Sequence, residues 1–484
     1  MESRNENEGV TPRRRRKRRF VLAILVMAAA SVACIAYYYG IVAEERLQEA
    51  IAEAARDDPG WRILDLEAAR RHIPDEENSA IPLTNAKANM TRQTFLAGSQ
   101  EAKAWGELLA AQELEPPVLL SERQLALLQQ ELKRNATSIG EIYKIHHRPR
   151  GRYPISYSKD FISTSLAHTQ ATRELATLLD YDAMVRAHAQ DMEGALLACR
   201  CLLLAQRAVG DEPMAVSMLV RIAIHQAAVK KLERVLAQGQ PTEVALAGLQ
   251  HLLEEELGEP LLLIAARGER AGMDGLLEAL QTADFKSRWQ ASRTLLEGDD
   301  SSMQSIRFKL AFVPGSVKRD RALLLRYNNR IVELARLPVD EQRRRLRDFN
   351  FDTKDLPGVA RQLTAFWPKL FNTYHRDQAT LRCGVLLLAS ERYRRANGHW
   401  PQRLDDLVPS YVAKVPLDPF DGQPLRLARF DGGLTIYSVS QDGQDDGGKL
   451  SQNPLPGTDW GFRLWDVPKR RQAAASESAS ASPK

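Results

Sequence analysis

Nine histidines and four cysteines are the side chains here best suited to acid–base, nucleophilic or metal chemistry near neutral pH. His225 stands on the apolar seam of a helical repeat, where an imidazole could serve as ligand or base. No His, Cys or carboxylate lies three or four residues from it, so the spacing favours a hydrogen-bonded core histidine. His146-His147 precedes Arg148-Pro149-Arg150-Gly151-Arg152, whose cations disfavour a metal and leave an exposed loop or an anionic-surface contact. Cys199 and Cys201 subtend about 200° on a helix and cannot pair with each other. A bond from either to Cys383 stays open. A C-x-C without a nearby His is a poor metal signature, so buried free thiols are expected. Ser163-Thr164-Ser165 lacks the G-x-S-x-G frame of a nucleophile elbow, and no phosphate-cradling glycine loop occurs. Glu254-Glu255-Glu256 and Arg343-Arg344-Arg345 read as solvated helix faces. No catalytic or cofactor-binding residue is assigned.

The elements that must position these groups are helices. Ser121-Glu122-Arg123-Gln124 is a capping-box start for a helix through Arg134. Ala195, Ala198, Leu202, Ala205 and Val209 repeat at helical spacing, ended by Gly210. Asp211-Glu212-Pro213 is expected to open the next helix, which carries Met218, Ile222, His225, Val229, Leu232 and Leu236 as far as Gly239. A further helix follows from Pro241-Thr242 to Glu256, and another from Glu259-Pro260 towards Leu280. Short connections predict antiparallel neighbours. The pairs are tetratricopeptide-like in texture, but no 34-residue period is present, so an irregular helical domain is expected.

Charge is concentrated at one end. Residues 1–19 hold eight Lys/Arg and three Asp/Glu, and the remaining 465 residues carry 59 of each sign. That balance leaves no basic face for phosphates, which argues against nucleic acid. Arg13–Arg19 is followed by 24 uncharged residues, Phe20–Ala43. As a helix these span about 36 Å, against a hydrocarbon core of about 30 Å. Tyr37-Tyr38-Tyr39 falls where an aromatic belt lies, and the cationic collar keeps the N-terminus in the cytoplasm. Ser31-Val32-Ala33-Cys34 faintly resembles a lipoprotein cleavage site, but the apolar run continues to Ala43. The expectation is an uncleaved single-pass anchor in a bacterial inner membrane, with the bulk exported.

Near the C-terminus the texture changes. Ala379, Cys383, Leu386, Ser390 and Tyr393 mark an amphipathic helix ended by Asn397-Gly398. Leu404 and Leu407 then anchor a short segment. Leu425–Phe430 and Leu434–Val439 alternate as strands about Asp431-Gly432-Gly433, with a third strand at Trp460–Leu464. The run Glu391–Pro401, then Tyr411–Gly422, Ile436-Tyr437-Ser438, Asp442-Gly443 and Asp459, resembles the C-terminal domain of type II secretion major pseudopilins. The resemblance covers about residues 376–465. It implies a helix packed on a small antiparallel sheet, with Ca²⁺ held in the loop before the last strand. Ser438, Asp442, Asp445, Asp446 and Asp459 are the positions that could supply oxygens, of which Ca²⁺ takes six to eight. A solvated acidic turn is the plain alternative. The family's processing glycine is not matched, since Gly9 precedes a polybasic run, which argues against pilus polymerisation. The overall layout, including Ile73–Asn78, resembles large membrane-anchored proteins of planctomycete-type bacteria.

The expected fold is therefore mainly α. It comprises a cytoplasmic segment 1–19, a transmembrane helix 20–43, an exported helical domain 44–370, a pseudopilin-like α+β module 371–468 and a disordered tail 469–484. The function expected is that of an envelope scaffold with protein partners. The alternatives are an exported hydrolase joining His168, His188 or His225 to a carboxylate, or an accessory of a secretion or pilus machine.

Overall fold

The computed structural model describes residues 12–91, 100–282, 284, 314–349, 351, 356, 358–451 and 456–473. Among these the fold is mainly helical, with a three-stranded antiparallel sheet near the C-terminus. The principal helices are α1 (Pro12–Asp57), α2 (Glu122–Arg134), α3 (Ala167–His188), α4 (Met192–Arg207), α5 (Ala215–Gln238), α6 (Glu243–Leu257), α7 (Leu261–Thr282), α8 (Pro314–Arg336), α9 (Val339–Phe349) and α10 (Trp367–Asn397). Contacts divide the chain into two units, one of residues 1–60, 273–329 and 353–364, the other of 61–272, 330–352 and 365–484.

In the first unit α1 runs unbroken for 46 residues, about 69 Å at 1.5 Å per residue. Ala43, Leu47, Ala50 and Ala54 are buried at 4-3-4 spacing, one stripe of the helix. Ion pairs flank the stripe: Lys318 lies 2.6 Å from Glu44, and Arg326 lies 2.9 Å from Glu49 and 3.1 Å from Glu53. Beyond residue 42 this helix is therefore packed along one face. Phe20, Leu22, Leu25 and Met27 are 60–70% exposed. Among the described residues no helix is long and apolar enough to cross a membrane. Inside the expected transmembrane stretch the side chains at 28, 32–36 and 39, Cys34 among them, lie outside the described residues, as do residues 1–11 of the cytoplasmic segment.

The second unit is organised around α4. Beyond the expected stripe, Leu196, Cys199, Cys201 and Leu203 are also at most 3% exposed. Helix α4 is covered on all sides because α3, α5 and α6 pack against it. It starts at Asp191, whose side chain accepts from the Gly194 amide at 2.9 Å, and the chain leaves it through Gly210 at φ +71°. Helix α5 begins at Ala215, two residues beyond the expected Pro213. Its Ala215 amide is bound at 2.9 Å by Glu269, a carboxylate 54 residues away, rather than by a local cap. Helices α3 to α7 have 22, 16, 24, 15 and 22 residues, so no equal-length repeat is built.

Helix α10 begins at Trp367 and ends at Gly398, φ +78°. The expected module boundary at 370/371 falls inside this helix. One flank of α10 packs on α5 and α6, and another on the sheet. The sheet order is β1 (Arg426–Phe430), β2 (Gly433–Ser438), β3 (Trp460–Trp465), with Arg426 opposite Tyr437 and Gly433 opposite Trp465. The turn carries Gly432 at φ +106°, a conformation side chains disfavour. Leu434, Ile436, Phe462 and Leu464 join Val229, Leu253, Leu386 and Leu388 in one apolar core. Each such buried side chain contributes roughly 1.5–3 kcal/mol. Strand β2 is buried at every position, because the loop after it folds over its outer face. A Cβ at Gly448 in that loop would stand 3.3 Å from the Tyr437 ring.

The expectation of a disordered tail from Lys469 needs correction. Arg470 is buried against Glu391, Arg471 donates to the carbonyls of Ala187 and His188, and Gln472 bridges Val118 in parallel. Charged residues dock here because acceptors lie ready beneath them. Residues 474–484 lie outside the described residues.

Candidate functional site

The loop between β2 and β3 is anchored from below by Asp418. This fully buried carboxylate accepts from the Phe420 amide at 2.9 Å, the Val439 amide at 2.8 Å and the Ser438 hydroxyl at 2.8 Å. Ser438, expected among the oxygen donors, is thus engaged beneath the loop, where its Oγ also accepts from the Ser440 amide at 3.2 Å. It positions the loop instead of standing with the loop carboxylates.

Of the four expected aspartates, Asp459 feels the charges of Asp445 and Asp446. Asp445 accepts from Tyr437 OH at 3.0 Å and the Gly447 amide at 3.0 Å, and pairs with Arg426 at 2.9 Å. Burial acts to raise this carboxyl, and the Gly447 amide, Tyr437 and Arg426 overcome it and hold it below the ordinary range. Asp459 is 1% exposed; its Oδ2 accepts from the Gly448 amide at 2.8 Å, and its Oδ1 is buried without a hydrogen-bond partner. Asp446 Oδ2 is likewise buried and unpartnered. Burial pushes the Asp459 carboxyl up, amide hydrogen bonds offset this in part, and the charges of Asp445 and Asp446 add to the rise. Asp442 stands at the exposed edge, accepting from the Gln444 amide at 3.1 Å and the Gly457 amide at 3.3 Å.

An unpaired buried carboxylate oxygen is costly, and such an atom in a native fold calls for a ligand, water or ion. Two of them, among mutually repelling carboxylates, match the donor chemistry of a hard cation. Among the described residues no three Asp, Glu, His or Cys side chains already stand close enough to hold a metal. Residues 452–455 of the same loop lie outside the described residues.

A second cluster lies in the helical core. His225 Nδ1 is 3.2 Å from both Asp377 oxygens, and its Nε2 is 3.1 Å from Glu256. Glu256 also pairs with Arg207 and, at 3.3 Å, with Arg221. Arg221 donates to Gln206 and, at 2.9 Å, to the Gly210 carbonyl. Burial works against the imidazolium, yet Asp377 and Glu256 push His225 up to about 9. Burial would raise Glu256, and His225 and the two arginines hold it far below the ordinary carboxylate range. His225 is therefore the satisfied core histidine expected. Its partners come from residues 31 and 152 positions away, on α6 and α10, which no i±4 pattern reveals. Glu256 corrects the reading of Glu254–Glu256 as a solvated face, since it is fully buried among cations.

Of the three histidines named for a hydrolase, His168 and His225 each stand within hydrogen-bond range of a carboxylate, in separate places. His168 lies 2.6 Å from Glu212, which also accepts from Ser217 at 2.6 Å. His225 belongs to Asp377 and Glu256. His188 is lowered by burial, Arg471 and Arg234. Cys199, Cys201 and Cys383 are buried free thiols, as expected, and burial pushes Cys199 and Cys201 up to about 12, which suppresses the nucleophilic thiolate.

Comparisons with protein-family models, with curated protein sequences and with solved structures find no match to this chain.

Proposed function

We propose that this chain is a scaffold or binding protein of a bacterial envelope, anchored by residues 20–43, with residues 1–19 cytoplasmic and the bulk exported. In this reading the C-terminal segment is a pseudopilin-like unit that takes up Ca²⁺ through Asp445, Asp446 and Asp459, with Asp442 at the rim. The observation that carries the calcium assignment is the pair of buried, unpartnered oxygens on Asp446 and Asp459. Bound Ca²⁺ would supply their missing counter-charge and fasten the loop over β1 and β2, giving a stiff surface for a protein partner. Support for the anchor is the uncharged run Phe20–Ala43 behind seven cations, carried on the continuous helix α1. No catalytic role is part of this reading. The packing of α10 on β2 and β3 is the arrangement that the pseudopilin resemblance implies. It favours, as a second reading, a non-polymerising accessory of a secretion or pilus machine.

The test is thermal melting of the full chain in detergent, with millimolar Ca²⁺ or with chelator. A ligand that binds only the folded state raises the midpoint. Identical midpoints would reduce the loop to an acidic turn.

A further inference from the structure

A cleft of about 580 Å³ opens within the second unit between α6, α9, α10 and the segment Val412–Leu417, within the range of roughly 300–1,000 Å³ usual for ligand sites. Its walls are mostly apolar, with Leu257, Leu263, Leu337 and Val385 among them. The ionic groups in the lining cancel: Glu254, Glu259 and Asp340 stand with Arg336, Arg382 and Lys414. Arg382 is already held by Asp340 at 2.7 Å and by the Leu417 carbonyl. Gln342 is also engaged, with its amide nitrogen on the Leu337 carbonyl at 2.9 Å and its oxygen facing His375 at 3.2 Å.

Gln378 differs. It lines the cleft from α10, is 1% exposed, and its amide nitrogen has no hydrogen-bond partner. A buried amide nitrogen without an acceptor is costly, and apolar packing would avoid that cost. A primary amide presents a donor and an acceptor in one plane, the complement of a peptide group's C=O and N–H. A charged ligand would find no net counter-charge here, and a pure hydrocarbon would leave the amide unsatisfied.

We propose that this cleft binds a short, uncharged, apolar peptide segment whose main-chain amide is read by Gln378. The assignment is independent of the calcium loop and of the anchor. The full chain in lipid nanodiscs is titrated calorimetrically with N-acetyl dipeptide amides built from Leu, Val, Phe and Pro, with decanol as an apolar comparator. At least one dipeptide amide binds at sub-millimolar concentration. Gln378→Leu weakens it at least tenfold while the melting temperature holds or rises, since the unsatisfied amide is gone. Ala413→Trp, at an exposed position on the rim, blocks the same binding without touching the core. Absence of sub-millimolar binding across the panel overturns the proposal. So does equal affinity in both variants, or decanol binding as tightly as the best peptide and insensitive to Gln378→Leu, which would make the cleft an acyl site.

Discussion

Arg470 and Glu391 form a buried ion pair at 2.9 Å across 79 residues of sequence, and so tie the end of the described chain to the last third of α10. Removing Glu391 strands Arg470, whereas removing Arg470 leaves Glu391 with Arg394, 2.6 Å away. Glu391→Ala is expected to lower stability by about 3–5 kcal/mol in chemical denaturation, whereas Arg470→Met with Glu391→Leu recovers much of that loss. A Glu391→Ala effect below about 1 kcal/mol would show that the strap is peripheral.

Three buried groups titrate so that stability falls as pH rises from 6 to 9. Burial is opposed by Asp377 and Glu256, which raise His225 from 6.5 to about 9; burial raises Glu233 from 4.5 to about 8 and Glu269 from 4.5 to about 7. A raised imidazolium stabilises the fold fully below pH 6.5 and loses that contribution as pH climbs through 9. A raised buried carboxyl stays neutral when folded while the unfolded chain ionises above 4.5, so it too loses stability as pH rises to its folded value. The melting temperature should therefore fall between pH 6 and pH 9. Glu233→Gln and Glu269→Gln flatten that slope, and a profile that climbs over this window would contradict the assignment.

Asp459 separates calcium binding from mere acidity. With chelator present, Asp459→Asn is expected to melt no lower than the parent, because a buried charge with an unpartnered oxygen has been neutralised. With Ca²⁺ present the same variant gains little. Asp442→Asn, at the exposed rim, keeps most of the calcium shift. Equal calcium responses in parent and Asp459→Asn remove Asp459 from the site.

The capping box at Ser121 is a local contribution to stability. Its hydroxyl accepts from the Gln124 amide at 3.2 Å, and the Gln124 side chain returns a bond to the Ser121 amide at 3.0 Å. Ser121→Ala should cost about 1 kcal/mol, read from the denaturation midpoint.

The anchor is tested by extraction. The full chain should remain in the membrane pellet after alkaline carbonate, and a chain lacking residues 1–43 should be released. Release of the full chain would refute the membrane reading.

Local signals were legible from residue order alone. The caps at Ser121 and Thr242, the stops at Gly210 and Gly398, and the turn at Asp431-Gly432-Gly433 stand where their residue types predict, because each depends on hydrogen bonds or dihedrals within a few residues. The same holds for the thiols, which lie buried because their helices are apolar around them. Long-range pairing was not legible. Glu256 reads as one of three solvated acids until α4, α5 and α10 bring Arg207, Arg221, His225 and Asp377 around it. Ser438 reads as a loop donor until Asp418, 20 residues earlier, takes its hydroxyl. Arg470 reads as tail until Glu391 claims it. In each case the partner is chosen by which helix or strand faces lie together, and periodicity along one segment carries no record of the register between two.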